Sequence, residues 1–277
     1  MRNNSKLTER DLNKIVRTHF RNWAEVLKGY FENAIPSPLV LRNGMTIEHS
    51  PEDRVQDLFY DVFIKKSYTR PVFYRPKPED TVLDLGANIG LFAIYLSSRA
   101  PGIRVHCFEP SSDTRKRLVQ NIKHNALGST VTVHPYAVFN DRCRKMLFHG
   151  PYTGWNSLMT KAGALAHASA EEVECIPLPA VFDCCRVVFF DCVKVDVEGS
   201  ELEILESTDS STLARIGRIV IECHNDLQPT AMKVIRGILR TNGFEVSLEI
   251  DPRWKSLGLL RAVKNRTRRD RTRPQFA

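Results

Sequence analysis

The chain has 277 residues, 42% of them hydrophobic and 26% charged, as is ordinary for a soluble globular protein. This length suits one large domain with an N-terminal extension. No run of about eighteen apolar residues is present, so no membrane span is predicted. The polar N-terminus lacks the apolar core of a secretory signal, and the sequence therefore predicts a cytoplasmic protein.

The formal net charge of +8 comes largely from the C-terminal end, where residues 261–273 read RAVKNRTRRDRTR. A short basic end of this kind is usually solvated, although it can contact phosphates or an anionic surface. We expect residues 265–277 to form a basic, disordered tail. Because the excess charge lies in this tail, the pattern argues against a specific nucleic-acid partner.

The seven cysteines include no C-x-x-C pair, and several lie in apolar runs. Free cysteines that behave as small hydrophobic residues show this pattern. The sequence therefore predicts a reducing compartment, with neither a zinc site nor disulfides.

The first part of the chain predicts a helical extension that carries a β-hairpin and lies on the substrate side, over residues 1–77. Apolar residues at helical spacing predict one helix within 5–34, which packs on the domain, forms a homodimer contact or covers a cleft. Asn43-Gly44 between two apolar runs indicates a hairpin turn. Residues 51–64 predict a second helix with an acidic first turn.

Residues 65–78 are basic, aromatic and rich in proline, and they precede the most informative stretch of the chain. This composition favours a connector on the surface. Tyr68 is also a candidate for the mouth of a substrate site.

A strand, a glycine loop and a helix follow one another in residues 81–98. Thr81 to Leu85 is a short apolar run typical of a buried strand, and Leu91 to Ser98 has the spacing of a helix packed on a sheet. Gly86 and Gly90 bracket the tight loop between them, where backbone can approach a ligand closely. This order predicts the first unit of a doubly wound α/β sheet.

The loop departs from the dinucleotide-binding pattern G-x-G-x-x-G. Its spacing is D-x-G-x-x-x-G, with Asp84 two residues before the first glycine. An acid at that place would repel a pyrophosphate but suits a ligand that carries an ammonium group. The loop resembles motif I of class I S-adenosylmethionine-dependent methyltransferases, and that resemblance implies that it wraps the methionine part of the cofactor.

Two later loops complete the expected nucleoside site. A predicted strand over 105–108 ends at Glu109-Pro110, where an acid can accept hydrogen bonds from both ribose hydroxyls. NAD-binding sites also have an acid at this position that binds the ribose. After the third predicted strand, 131–133, the segment Ala137 to Asp141 is placed to meet the adenine ring, although Asp141 equally suits the cap of a turn.

A second decisive stretch, residues 187–199, reads as a central parallel strand that ends at Asp196. Glu198 follows just beyond the strand end. Ligands bind outside the carboxyl ends of such strands, so both acids are expected to face the same cleft as the glycine loop.

Residues 194–201, KVDVEGSE, look like the K-x-D-x-E-G-x-E hallmark of the FkbM family of methyltransferases. The segments 137–141 and Glu222-x-His224 resemble further motifs of that family, and the resemblance runs from about residue 39 to 263. Its form of motif I is matched by Asp84, Gly86, Ala87, Asn88 and Gly90. The resemblance implies O-methylation of a hydroxyl on a sugar, a polyketide or another natural product, with S-adenosylmethionine as cofactor.

The end of the chain fits the same fold. Residues 216–223 predict a fifth strand, and 244–250 and 258–263 predict two more. The link between the last two is too short for a crossover helix, so they pair as an antiparallel hairpin. We therefore predict a doubly wound, mostly parallel seven-stranded sheet over residues 78–264.

Three accounts of catalysis are compatible with the residues. Asp196 or His224 acts as the general base toward an acceptor hydroxyl, with Glu198 orienting the substrate or the base. Alternatively, Asp196, Glu222 and Asn225 hold a divalent cation such as Mg²⁺ that binds the hydroxylate. In the third account the site only aligns the reactants.

Other classes of function stay open at this point. The glycine loop and the ribose acid also fit an NAD-type oxidoreductase, although the loop spacing and the terminal hairpin argue against it. A nucleic-acid methyltransferase that uses the basic tail is a further alternative. A non-catalytic partner-binding module would be expected to have a broken cofactor loop, whereas this loop is intact.

Overall fold

The computed structural model describes residues 8–159, 169–224, 227–250 and 256–264. Its strands are β1 Leu39–Val40, β2 Thr46–Ile47, β3 Thr81–Leu85, β4 Arg104–Phe108, β5 Val131–His134, β6 Ala137–Phe139, β7 Cys143–Phe148, β8 Ala170–Pro177, β9 Cys192–Val195, β10 Arg218–His224, β11 Phe244–Ile250 and β12 Leu257–Lys264. Its α-helices are α1 Glu9–His19, α2 Trp23–Glu32, α3 Val55–Phe59, α4 Leu91–Arg99, α5 Ser112–His124, α6 Leu178–Cys185, α7 Glu201–Glu206, α8 Ser210–Leu213 and α9 Ala231–Thr241.

The main sheet has seven strands in the order β11-β12-β10-β9-β3-β4-β5. The five strands from β10 to β5 are parallel, whereas β12 lies antiparallel between β10 and β11. The predicted sheet and its terminal hairpin are thus confirmed. The strand order reverses between β3 and β9, which places the expected ligand crevice at the carboxyl ends of these two strands.

A smaller sheet, in the order β6-β8-β7, was not predicted. Strand β7 carries exposed charges, and Arg144 pairs with Glu172 and Glu174 across the ladder to β8. Such a strand lacks the apolar alternation that reveals strands in sequence. The strand predicted over residues 187–199 is also shorter than expected, since β9 is confined to Cys192–Val195 and helix α6 precedes it.

The extension contains two helices rather than the one predicted. The break comes at Phe20, which is buried and forms a β-bridge with Leu41 of the hairpin. The amide of Asn22 then accepts from the backbone N–H of Val40 and donates to the carbonyl of Pro38. The backbone N–H of Arg21 also donates to the carbonyl of Val40, and the carbonyl of His19 accepts from Arg42, so this backbone does not make the bonds of a continuous helix. The β1–β2 hairpin itself is confirmed, with Gly44 at a φ of +92°.

Residues 51–64 do not form one regular helix either. A 3-10 turn at Pro51–Asp53 leads to Arg54, which has a φ of +46°, and α3 then widens into a π-helical turn at Tyr60–Ile64. Val55, Phe59, Val62 and Phe63 are nevertheless buried. The next segment is not a plain surface connector, because Tyr68, Phe73 and Tyr74 are all buried. After α5, Ala126 has a left-handed backbone, with a φ of +55°.

Helix α5 attaches the extension to the main sheet. Asn125 accepts from the N–H of Thr46 at 2.8 Å and donates to its carbonyl at 2.7 Å. One turn earlier, Asn121 makes the same pair of bonds with Glu48. The two amides therefore satisfy the outer edge of β2, as a neighbouring strand would.

Each face of the main sheet carries a large apolar cluster. One cluster joins α1, α2 and the hairpin to α4 and α5, and the other joins α6, α7, α8 and α9. Throughout the described ranges, each helix is too short or too polar to traverse a bilayer. Residues 265–277, Asn225 and the link at 251–255 lie outside the described residues, so the expected tail and the proposed Asn225 ligand stay predictions.

Candidate active site

A cleft with a volume of about 1340 Å³, part of it open to solvent, lies at the carboxyl ends of β3, β4 and β9. Six of the residues expected to bind cofactor line it: Gly86, Ala87, Asn88, Glu109, Pro110 and Ala137. Asp196 and Glu198 line it as well. The structure therefore brings together, in one crevice, residues that are more than a hundred positions apart in the chain.

The glycine loop lies directly against the end of β9. Gly86 has a φ of +73°, and a Cβ at this position would be 1.8 Å from the carbonyl oxygen of Asp196. Gly90, at a φ of +89°, begins α4 and packs on Leu118, so its role is in the turn rather than in the cleft lining. Only glycine allows this close approach, and the loop backbone thereby forms the floor of the cleft.

Asp84 does not face the cleft, contrary to the expectation that it meets an ammonium group. It is fully buried, and its Oδ1 accepts from Lys194 Nζ at 3.0 Å. Lys194 also donates to the carbonyl of Gly86 at 3.0 Å. Asp84 therefore acts through Lys194, which fixes the loop. The sequence signal for this role is a lysine inside an apolar strand, since buried lysines are almost always paired.

The charge state of this pair follows from its surroundings. Burial lowers the pKa of Lys194, but the carboxylates of Asp84 and Asp196 more than offset this effect and raise its pKa above the ordinary value. Lys194 is therefore a permanent cation beneath the loop. Breaking such a buried pair by removing one partner is strongly destabilising, by about 3–5 kcal/mol.

Glu109 is held rigidly at the end of β4. Its two carboxylate oxygens accept from the N–H groups of Asn88, at 2.9 Å, and Ser111, at 3.0 Å. Burial raises the pKa of Glu109 to about 7, against the lowering effect of these two bonds. Each oxygen keeps a further lone pair, so the group can still accept from two neighbouring hydroxyls.

Asp141 does not reach the cleft. Its side chain is exposed, and Oδ1 accepts from the N–H of Arg142 at 2.7 Å. Of the two alternatives that the sequence left open, the structure has the turn cap. Ala137, by contrast, lies in the cleft as the first residue of β6.

On the other side of the cleft, Tyr68 lies between two acids. Its hydroxyl is 3.1 Å from Asp196 Oδ2 and 3.0 Å from Glu222 Oε2, and it donates its one proton to either oxygen. Burial, together with these two negative charges, raises the pKa of Tyr68 far above its usual value, so the hydroxyl stays protonated. Burial and the charge of Asp196 raise the pKa of Glu222 to about 7.

His224 lies behind Glu198 rather than in the cleft lining. Its Nδ1 is 2.9 Å from Glu201 Oε1, and its Nε2 is 3.3 Å from Glu198 Oε2. Burial lowers the pKa of His224, but the two carboxylates outweigh burial and raise the pKa well above its ordinary value. An imidazolium between two acids has no free nitrogen to take a proton, so the geometry does not support His224 as general base.

Glu201 also shapes the loop that follows β9. Its Oε1 accepts from the N–H of Gly199 at 3.0 Å, where Glu198 and Gly199 have φ values of +53° and +111°. Ser157 donates to the carbonyl of Glu198 at 2.5 Å from the other side. This turn fixes Glu198 in the cleft. Burial raises the pKa of Glu198 to about 8, and nearby Asp196 adds to this effect against the opposing charge of His224.

A segment from the smaller sheet covers the cleft. Thr153 Oγ1 donates to Asp53 Oδ1 at 3.1 Å and accepts from Asn88 Nδ2 at 3.3 Å. Asp53 is also paired with Arg117 of α5 at 2.9 Å. Trp155 and Asn156 line the cleft beside Thr153.

The sheet order, the inserted antiparallel hairpin and the glycine loop at the switch point define a class I methyltransferase fold. The chain matches the family model of the methyltransferase FkbM domain over residues 84–246, which is more than half of its length, and it belongs to that family. Membership implies S-adenosylmethionine as the methyl donor. The predicted resemblance is thus confirmed.

Known proteins similar to the chain agree with this assignment. It is 26% identical to the 31-O-demethyl-FK506 methyltransferase FkbM of Streptomyces tacrolimicus, over 83% of this chain and 96% of that protein. It is 31% identical to the AMB antimetabolite synthetase AmbE of Pseudomonas aeruginosa over 70% of this chain, but it spans only 11% of that much longer protein. The crystal structure of the methyltransferase FkbM from Methylobacillus flagellatus KT shares the fold, with a TM-score of 0.50 at 14% identity, covering 91% of this chain and 57% of that one.

The residues of the cleft suit a nucleoside that carries a sulfonium group. Glu109 offers two fixed acceptor oxygens for a ribose, and the backbone of Gly86, Ala87 and Asn88 lines the cleft beside it.

The structure also bears on the predicted Mg²⁺ alternative. Ligand atoms of Asp196, Glu198 and His224 lie within 4.8 Å of one another, a spacing that a cation requires. Both ring nitrogens of His224 already face carboxylates, so this residue does not suit a metal. Asp196 and Glu222 stay candidate oxygen ligands.

Proposed function

We propose that the chain is an O-methyltransferase that acts on a hydroxyl group of a sugar, a polyketide or another natural product. The observation that carries this proposal is the Asp196 carboxylate, which lies in the cleft at the end of β9, bonded to Tyr68 and adjacent to the glycine loop. The similarity to the 31-O-demethyl-FK506 methyltransferase FkbM supports the same choice.

Bound S-adenosylmethionine supplies an electrophilic methyl group on sulfur. The remaining task of the protein is to orient the acceptor oxygen and remove its proton as the new O–C bond forms. Asp196 is the proposed base, and Tyr68 orients its carboxylate by hydrogen bonding to Oδ2. Lys194 holds the loop beneath, and Glu109 fixes the ribose end of the site. The proton leaves the acceptor for Asp196.

Two measurements test the proposal. Equilibrium binding of S-adenosylhomocysteine is expected at micromolar concentration, and labelled methyl groups should pass to alcohols in a screen of sugar, polyketide and lipid acceptors. Asp196→Asn should lower methyl transfer by at least about a hundredfold while S-adenosylhomocysteine still binds. Glu172→Gln, at an exposed ion pair of the smaller sheet, is the matched control. Absence of S-adenosylhomocysteine binding, or transfer to nitrogen acceptors alone, would count against the proposal.

A nucleic-acid acceptor is the second candidate, and it depends on the basic end of the chain. Deleting residues 266–277 distinguishes a small alcohol from a nucleic acid as the acceptor. If the shortened chain retains full activity on small alcohols and shows none on nucleic acid at any salt concentration, the small acceptor stands.

A further inference from the structure

Two histidines and two cysteines meet where the end of α6 reaches strands β4 and β5. His106 Nδ1 lies 3.2 Å from His134 Nε2, and Cys185 Sγ lies 3.8 Å from the same Nε2. The free thiol of Cys184 lies 3.5 Å from the other ring nitrogen, His134 Nδ1. None of these four side chains lines the cleft, so the cluster is separate from the site described above.

Ligand atoms of His106, His134 and Cys185 all lie within 4.8 Å of one another, and the two shortest separations are close to those of ligands on a tetrahedral zinc ion. With Zn–N of about 2.05 Å and Zn–S of about 2.3 Å, the edges of the tetrahedron are about 3.4 Å between two nitrogens and about 3.6 Å between nitrogen and sulfur. The observed values are 3.2 Å and 3.8 Å. A hydrogen bond between the two imidazoles explains the distance between their nitrogens but not the position of the sulfur. A shared ion explains both, because Cys185 Sγ then approaches the same His134 nitrogen.

The surroundings of His134 favour the ring form that binds a metal. If Nδ1 carries the proton and donates to Cys184 Sγ, the lone pair of Nε2 faces His106 and Cys185. Metal-binding histidines usually have such a partner on the second nitrogen. The ring is also fixed in place, because Phe108 stacks on it with the ring centroids 4.4 Å apart.

We propose that His106, His134 and Cys185 bind one Zn²⁺ ion, with water at the fourth position. Binding replaces the thiol proton of Cys185, which passes to solvent, and no redox step is involved. The sequence did not predict this site because its ligands lie on three separate elements with no short spacing between them. The ion would tie the end of α6 to the strand that leads into Glu109.

Cobalt substitution tests the proposal directly, and it does not depend on methyl transfer. The purified full chain, stripped with a chelator, is titrated with Co²⁺. One equivalent should bind, produce a thiolate-to-cobalt charge-transfer band, and be displaced by Zn²⁺. Zn²⁺ should also raise the melting temperature, since it binds only the folded chain.

Variants assign the ligands. Cys185→Ser should abolish the charge-transfer band and the thermal shift, and His106→Gln should weaken Co²⁺ binding at least about a hundredfold. Cys184→Ala should keep the band with about tenfold weaker binding, as expected for a partner of a ligand. Cys143→Ala, an exposed thiol elsewhere, is the matched control and should behave like the parent.

Three outcomes would overturn the inference. These are no Co²⁺ binding by the parent chain, a band that persists unchanged in Cys185→Ser, and a band that disappears in Cys143→Ala. Circular dichroism and S-adenosylhomocysteine binding report whether each variant is folded. If Cys185→Ser fails to fold, His106→Gln decides the question.

Discussion

At the residue scale, the chemistry of this protein depends on charged groups that burial forces into pairs. Lys194 is paired with Asp84, and His224 lies between the carboxylates of Glu198 and Glu201. The Tyr68 hydroxyl likewise lies between two carboxylates, those of Asp196 and Glu222. Sequence patterns indicated the identity of several of these residues but not their partners. The pairings are long-range, and only the assembled sheet decides which acid faces which cation.

Tyr68→Phe tests the link between the two acids of the cleft. Because the Tyr68 hydroxyl stabilises the ionised form of Glu222, its loss should raise the pKa of Glu222 further above its present value of about 7. We expect methyl transfer to require the ionised form of Glu222 beside the proposed base Asp196, so the acid limb of the kcat profile should move to higher pH, with kcat lowered about tenfold near neutrality. Steady-state rates across pH measure both effects.

Tyr74→Phe is the matched control, since Tyr74 is a buried tyrosine that donates to Asp80 outside the cleft. It should leave the pH profile in place. A Tyr68→Phe variant with lowered kcat but an unmoved acid limb would show that the hydroxyl is merely structural.

Glu109→Gln tests the ribose role through its pH dependence. Burial raises the pKa of Glu109 to about 7, so below that pH the group holds a proton and is a poorer acceptor. Affinity for S-adenosylhomocysteine should rise as pH increases through about 7 and then level off. Glu109→Gln should lower the affinity about tenfold to a hundredfold and flatten this dependence, as measured by calorimetry.

The same titration with Asp141→Asn supplies the comparison, because Asp141 caps a turn outside the cleft. Affinity and pH dependence should match the parent chain. Equal losses in the two variants would contradict the roles assigned to both residues.

At the element scale, the site depends on how closely the glycine loop packs against β9. The sequence predicted β3, the loop and α4, because a buried strand, two glycines and a helical apolar face are local signals. The smaller sheet and α6 escaped prediction, since β7 is a charged strand whose partner β8 lies beyond a long connection. The strand predicted over 187–199 was too long, because Val188 is exposed and Phe190 forms only an isolated bridge with Ile216 before β9 begins at Cys192.

Gly86→Ala tests the close approach. Its new Cβ would meet the backbone of Asp196 at 1.8 Å in a left-handed conformation, so the loop or the strand must move. The expected cost is at least about 3 kcal/mol in the free energy of unfolding, together with loss of S-adenosylhomocysteine binding. Urea denaturation and calorimetry measure the two quantities.

Gly243→Ala distinguishes the conformational cost of alanine at a positive φ from the cost of a steric clash. Gly243 has a similar φ of +78°, but a Cβ added there would meet nothing within 4 Å, so only the conformational cost of about 1 kcal/mol remains. If both variants lost the same stability, contact with β9 would not be what requires glycine at 86.

At the scale of the whole molecule, the extension supplies part of the lining of the candidate site. The family model begins at residue 84, yet Tyr68 and Asp53 line the cleft from the preceding segment. Sequence reasoning placed this region on the substrate side from its position alone. It could not foresee that Asn121 and Asn125 hold the hairpin, since a polar helix face usually indicates only exposure to solvent.

Asp53→Asn tests this assembly, because one carboxylate joins three parts of the molecule. Asp53 belongs to the extension, Arg117 to α5 and Thr153 to the segment that covers the cleft. Losing the charge should loosen the cover without touching the proposed base, so KM for the acceptor should rise about tenfold while kcat changes less than about twofold. Steady-state kinetics with a saturating methyl donor measure this split. Asp113→Asn, at an exposed pair with Lys116 on the same helix as Arg117, should leave both constants unchanged. A fall in kcat at constant KM would instead place Asp53 in the chemical step and remove the case for a cover that only retains the acceptor.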